Sequence, residues 1–420
     1  MKRTVTLAAA LTMAWLDLGS APAWAQATTT PTPAPAPAPS SAPGGATEGK
    51  PAAAAEAAPP TSPVSMPAMS GTLAGNVKPM KIDAGPLLGD VYITGVLSGM
   101  AQYSSNFFFA DEHRNQVDLT NGQVVVQKVD GPIQFYLQGG SYSLPDIGVP
   151  YLRSGQTVSA TFGGLPVWFL KWAPDDAFSV QAGDLPTLIG AEYAFSFQNV
   201  NVQRGLIWNQ ENIINRGVQA NYTVGPLALS VAWSDGYFSN RYSWLTGLAT
   251  YTIDPSNSVA FSAGGSINTE TVSSFATPLL QNNSTIYNLV FTHTSGPLTI
   301  IPTLQYTTVP ADTQLGTRHS LNTYGGGLYG IYTLDGGYSV AGRAEYIKAN
   351  GNASDPNLLY GPGSNAWSFT VTPTWQNKFL FARGEFSFVR AGSTTPGFAF
   401  GPTGTSSSQT RAIIETGIIF

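Results

Sequence analysis

The sequence predicts an all-β fold: a transmembrane antiparallel β-barrel of about sixteen strands, with fourteen to eighteen compatible with the pattern. Three observations predict it. Apolar and polar residues alternate through most of the chain after residue 90, and period two puts successive side chains on opposite faces of a strand. The connections between these runs alternate short and long, as the turns and loops on the two rims of a membrane barrel do. Beyond the N-terminal leader no stretch approaches the ~20 apolar residues of a spanning helix. A membrane span would therefore have to be a closed barrel, which satisfies its backbone hydrogen bonds in lipid.

From the N-terminus, Met1-Lys2-Arg3 is a short basic start, Thr4 to Leu16 is largely apolar, and Ala23-Trp24-Ala25 offers a cleavage site before Gln26. Residues 1–25 read as a secretory signal peptide, exported by the Sec route since no paired arginines occur. The chain has no cysteine, so it has neither disulfides nor an acylated-cysteine anchor. Residues 26–90 are dominated up to about residue 80 by Ala, Pro, Thr, Ser and Gly, as in Pro31-Thr32-Pro33-Ala34-Pro35. Such a stretch buries too little apolar area to offset chain entropy and reads as a disordered periplasmic linker, either inert or a spacer toward the cell wall. The barrel is expected over 91–420.

Sixteen strands are expected near 91–103, 119–129, 131–143, 165–173, 177–184, 213–224, 226–235, 242–253, 257–268, 284–294, 297–308, 321–333, 336–349, 365–376, 378–390 and 409–420. The clearest is Trp367-Ser-Phe369-Thr-Val371-Thr-Pro373-Thr-Trp375. Its odd positions are apolar, its even positions are Ser or Thr, and an aromatic sits near each end, as an outward band about 25 Å tall between aromatic girdles requires. Tight turns such as Asp130-Gly131, Gly225-Pro226, Ser295-Gly296-Pro297 and Asp335-Gly336 close every second connection, because Gly accepts positive φ and Pro presets φ. The intervening connections are long, residues 236–241 excepted. The last run ends on Phe420, with Ile418, Thr416, Ile414 and Ala412 on its face and Arg411, Ile413, Glu415, Gly417 and Ile419 on the other.

The segment Gly183-Asp184-Leu185-Pro186-Thr187-Leu188-Ile189-Gly190-Ala191-Glu192 resembles the G-[KD]-x-x-T-x-x-G-x-E stretch of the putative β-barrel porin-2 family, also described as OmpL-like porins. Asn201-Val202-Gln203-Arg204-Gly205-Leu206 is similar to its N-x-x-R-x-L element, and Asn215-Arg216-Gly217-Val218-Gln219-Ala220-Asn221-Tyr222 to its [HN]-x-G-V-[RQ]-x-x-Y strand. Asp184 stands where a lysine is usual, and Asn215-Arg216 where His-Thr is usual. The resemblance implies a passive or weakly selective channel in a bacterial outer membrane. A terminal Phe like Phe420 is a signature through which such barrels are recognised by the barrel-assembly machinery.

Sixteen strands leave an aqueous lumen, expected here to be lined by Ser, Thr, Gln, Asn and Gly. A charge facing mid-bilayer lipid costs roughly 2–4 kcal/mol. Arg343, Glu345, Arg383, Glu385, Arg411 and Glu415 should therefore face inward, either as a field that orients solutes or as pairs that brace the wall. The longest connection, 185–212, is the third external loop. By analogy with general porins it folds inward as the constriction, with Asp184, Glu192, Arg204, Glu211 and Arg216 amid Tyr193, Phe195, Phe197 and Trp208. Latching a neighbouring subunit and a plain surface loop are the alternatives. Over 91–420 there are 19 Asp and Glu against 14 Lys and Arg, a net of −5, which gives a mild bias toward cations.

No metal site or cofactor is expected: the three histidines, His113, His293 and His319, are not spaced as ligands. No G-x-S-x-G elbow and no basic nucleic-acid patch occur. The expected function is diffusion of small hydrophilic solutes or ions, with lipid and the assembly machinery as partners and, by analogy, a homotrimer. The alternatives are a barrel that binds partners through its external loops and a hydrolase at the barrel rim using His293 or His319. A linker without a folded plug counts against an active transporter, and nothing but that linker precedes the barrel, which counts against an autotransporter.

Overall fold

The structure is a computed structural model that describes residues 71–76, 78–107 and 112–420. The expected signal peptide and most of the expected linker, residues 1–70, lie outside the described residues. Seventeen strands form one antiparallel sheet among the described residues. The first six are β1 (Met80–Asp83), β2 (Asp90–Ser104), β3 (Asn115–Lys128), β4 (Ile133–Tyr142), β5 (Val167–Trp172) and β6 (Phe178–Pro186). Then follow β7 (Ile214–Val224), β8 (Leu227–Ser234), β9 (Trp244–Asp254), β10 (Asn257–Ser266), β11 (Thr285–Ser295) and β12 (Leu298–Val309). The last five are β13 (Leu321–Thr333), β14 (Tyr338–Ala349), β15 (Asn365–Asn377), β16 (Leu380–Gly392) and β17 (Ser408–Ile419).

Each strand from β2 to β17 pairs with its sequence neighbours, and β17 pairs back onto β2 from Arg411↔Ser104 to Ile419↔Val96. The sixteen strands β2–β17 therefore close into a barrel, which removes the exposed sheet edges. All sixteen expected strands are present. Their limits differ from the sequence reading by a few residues, most at β3, which starts at Asn115 because Asn115 and Gln116 pair with Tyr103 and Gln102 of β2.

Burial follows the alternation. In β15, Trp367, Phe369, Val371 and Pro373 are exposed on the outer face while Ser368, Thr370, Thr372 and Thr374 are buried inside. In β17, Ala412, Ile414 and Thr416 face out while Arg411, Ile413 and Glu415 face in. Outward aromatics line up across the strands near the rim of the long loops. Tyr306 lies 6.2 Å from Tyr287 and 5.1 Å from Tyr324, and Tyr346 lies 4.4 Å from Trp367, ring centre to ring centre. This row is the girdle that a membrane barrel places at the lipid–water interface. The short turns rely on glycine where φ is positive, as at Gly225 and Gly296, both at φ 55.

The sequence reading ends the linker at residue 90, yet described residues inside that stretch have a defined place. β1 pairs with β2 from Met80↔Ile93 to Asp83↔Asp90. It lies on the same edge of β2 as β17 and continues it, just past the point where Phe420 exchanges two backbone hydrogen bonds with Gly95. Its residues carry no apolar run long enough to announce a strand; the free edge of β2 supplies the partner.

Candidate functional site

The connection between β6 and β7, residues 187–213, turns into the barrel. Nearly all of it is buried, Val200, Val202 and Trp208 completely. The reason is compositional. Leu188, Ile189, Phe195, Val200, Val202, Leu206, Ile207 and Trp208 carry an apolar load that a water-exposed loop would not bury.

These side chains join apolar clusters on every side. Phe195, Trp208 and Ile213 pack with Tyr136, Phe169, Trp244 and Ile286. Leu188, Ala191 and Val200 pack with Leu248, Val290, Ile301 and Tyr329. Leu206 and Ile207 meet Ile347, Ala366 and Val389, and Val202 meets Met100 and Ile413. Together the clusters include inward residues of β2 and of β4 through β17. The loop thus crosses the lumen. This corrects the picture of a lumen lined simply by small polar side chains: at the level of the loop, apolar residues from the wall and the loop interdigitate.

On one side the loop is held by charge. Glu385 of β16 accepts hydrogen bonds from the backbone N–H groups of Val202 and Gln203 and from the Gln203 amide. Glu345 of β14 accepts from Leu206 N at 2.9 Å and Ile207 N at 3.3 Å. Arg343 donates to Glu192 at 2.7 Å and to the Gln203 carbonyl at 2.8 Å. Arg383 donates to the carbonyls of Ser196 and Asn199 and pairs with Glu415, which also accepts from Ser196 Oγ. Arg411 donates to Val149 O at 2.7 Å and approaches Glu112 at 3.3 Å. The six wall charges face inward and are engaged with residues 192–207 of the loop and, through Arg411, with a second inward connection as well. A buried, hydrogen-bonded charge of this kind is expensive to leave unpaired.

That second connection, after β4, is a feature the sequence reading missed. Asp146 bridges to Arg204 in parallel register, with Ile147 N donating to Arg204 O and Arg204 N to Pro145 O, each at 3.0 Å. Asp146 Oδ1 lies 3.7 Å from Arg204 Nε. Short range carries no signal for this pairing, since the two residues are far apart in the chain.

The five constriction candidates fall into two groups. Glu192 and Arg204 belong to the buried network with Arg343, Glu345 and Asp146. Burial holds the Glu192 carboxyl up at about 7, against the opposing pull of Arg343. Burial likewise raises Asp146 well above the usual carboxylate range and lowers Arg204 to about 10. Glu211 is 1% exposed and lies over Gly190. Burial first, then the charges of Glu192 and Glu345, raise it well above its ordinary value.

Asp184 and Arg216 form the other group at the foot of the loop. They are register partners across β6 and β7, so the two departures from the family pattern face each other, but the alternation puts them on the outer face with Trp168, Val218 and Tyr222 and not in the constriction where the sequence reading places them. Arg216 lies 3.7 Å from Asp235 and stacks on Phe238 at 3.6 Å.

Three glycines of the region have a packing role. A Cβ at Gly205 would fall 2.0 Å from Glu345 Oε1, one at Gly190 would fall 1.9 Å from Glu211 Oε2, and one at Gly325 would fall 2.6 Å from Ile207 Cγ2. Each lets a loop and a wall, or two arms of the loop, approach more closely than any side chain permits. The histidines take other partners: His293 Nδ1 is 2.8 Å from Asn257 Oδ1 and His319 Nδ1 is 2.8 Å from Asp355 Oδ2. Among the described residues no cluster of three or more His, Cys, Asp or Glu could hold a metal ion.

Comparison with known proteins agrees with this architecture. Residues 90–420 match the model of a family described as putative beta-barrel porin-2, OmpL-like. No curated protein sequence matches the chain. Among solved structures, the outer-membrane-expressed OmpT of Vibrio cholerae aligns with a TM-score of 0.54 at 12% identity, over 82% of this chain and 100% of that one. The outer membrane channel DcaP of Acinetobacter baumannii aligns at 0.53 and 13% identity, over 83% and 100%. An anion-selective porin from Comamonas acidovorans aligns at 0.53 and 12% identity, over 79% and 99%. At these identities the likeness is one of fold.

Proposed function

The chain belongs to the putative β-barrel porin-2, OmpL-like family, and from that premise we propose a narrow passive channel of the bacterial outer membrane. Small ions and small hydrophilic solutes cross it down their gradients, and the inward loop 187–213 sets which of them pass. The observation that carries this reading is the loop itself, laid across a closed sixteen-strand barrel and fastened by all six wall charges. Charged side chains at a constriction are a standard selectivity device. Here the wall charges hold the loop, and the charge the loop itself brings to the passage is that of Glu192, engaged by Arg343, with Arg204 and Glu211.

Packing around the loop favours a small unit conductance over a wide-pore one. A homotrimer, assembled in the membrane after recognition of the Phe420 strand, is proposed by analogy with general porins.

The test is single-channel recording of the refolded protein in a planar bilayer, followed by the reversal potential in a salt gradient. Discrete ohmic steps with mild cation preference are expected. At alkaline pH, where these raised carboxyls carry charge, E192Q/E211Q should lower that preference; an unchanged reversal potential would remove these carboxylates from the selectivity role. A stable, heat-modifiable barrel without any conductance would sink the channel reading.

A further inference from the structure

Ahead of β1, Gly71–Asn76 lies inside the barrel at the rim of the short turns. Leu73 packs on Val96, Phe381 and Ile419 of the inner wall, a cluster that Phe197 of the inward loop also joins. Thr72 Oγ1 is 3.3 Å from Thr374 Oγ1. The Gln376 side chain holds the backbone of Ala74 from both sides, accepting from its N–H at 2.7 Å and donating to its carbonyl at 2.8 Å. A Cβ at Gly71 would fall 2.5 Å from the Gln198 carbonyl oxygen, so the chain slips under the tip of the loop only because residue 71 has no side chain. Beside the segment a cavity of about 510 Å³ remains, bounded on its far side by Thr299, Ile331, Thr333 and Tyr338.

We propose that Gly71–Asn76 is a tethered plug: docked, it occupies one side of the periplasmic exit beneath the constriction loop, and undocked, it leaves that exit wider. The inference rests on the channel reading. Among the described residues the segment is held by one apolar side chain, three hydrogen bonds and the close approach of Gly71 to Gln198. The tether makes them sufficient. β1 is fixed to β2 a few residues further on and Lys81 pairs with Asp90 at 2.6 Å, so the segment stays near its dock at an effective concentration in the millimolar range or above. Weak contacts under a short tether give a reversible occupant, and the 510 Å³ cavity beside it is space at the exit that the docked segment leaves unfilled.

The chain has no native cysteine, so T72C/T374C in the full-length protein supplies a single, background-free disulfide probe at two side chains whose hydroxyls already lie 3.3 Å apart. The docked segment should crosslink on oxidation of the folded barrel. L73D and G71V, each designed to undock the segment, should raise the unit conductance above the wild-type level, since the exit lies in series with the constriction and the two resistances add. Oxidation of L73D/T72C/T374C should return it to the wild-type level. Heat-modifiability on a gel shows that each variant is folded. Folded L73D and G71V with wild-type conductance, or failure of the disulfide to form, would overturn the plug. A disulfide that forms in barrels that conduct nothing would sink the channel reading and the gating role together, while leaving the docked position established.

Discussion

Residue by residue, the site works through close contacts that a single added atom would disturb. Gly205 sits against Glu345, whose carboxylate also holds Leu206 and Ile207. G205A should displace that carboxylate, loosen the loop, and give a noisier, higher-conductance channel in planar bilayers with a lower unfolding temperature. Glu192 makes a second prediction. A carboxyl raised to about 7 is charged above that pH and neutral below it. Cation preference should therefore fall as pH drops from 8 to 6, and the step should vanish in E192Q. A wild-type reversal potential that is flat across this range would show that the Glu192 charge does not reach the permeating ion. The departures Asp184 and Arg216 were legible as oddities in the sequence. That they face each other was not, because only the β6–β7 register brings them together.

At the level of the element, the loop is a strap held at several points. Removing one partner of a buried, hydrogen-bonded charge typically destabilises by about 3–5 kcal/mol, and the loss here falls on the loop rather than on the ladder of strands. E385A strands the N–H groups of Val202 and Gln203. It should leave the barrel assembled but lower its heat-modification temperature and raise open-channel noise; an unaltered channel would mean that the apolar clusters alone hold the loop. The alternation of Trp367-to-Trp375 fixed which residues face lipid. It said nothing of the apolar inward positions, such as Phe169, Ile301 and Phe381, whose partners come from the loop. Those residues look out of place in a polar lumen until the loop is laid against them.

Across the whole molecule, closure depends on the seam between β17 and β2. The Phe420 ring lies over Gly95, where a Cβ would fall 2.4 Å from its Cζ atom, and its backbone pairs with the same glycine. Deleting Phe420 should lower the yield of folded, heat-modifiable barrel in outer membranes, and G95V should weaken the seam in the purified protein. Normal yield without Phe420 would remove it from assembly. With a net charge of −5 over 91–420, the barrel as a whole carries only a mild bias, so selectivity should respond far more to loop substitutions than to charges on the long external connections.

The sequence by itself determined the class of fold, the strands, the sorting of loops by length and the inward direction of the six wall charges. All of these follow from period two, turn chemistry and the cost of charge in lipid, which act between near neighbours in the chain. The tertiary structure alone decided what the inward charges hold, that a second connection pairs with the third loop at Asp146 and Arg204, and that Gly71–Asn76 returns into the barrel. These contacts join residues separated by tens to hundreds of positions. Their geometry is set by closure of the barrel around the loop, a long-range condition that leaves no period in the sequence.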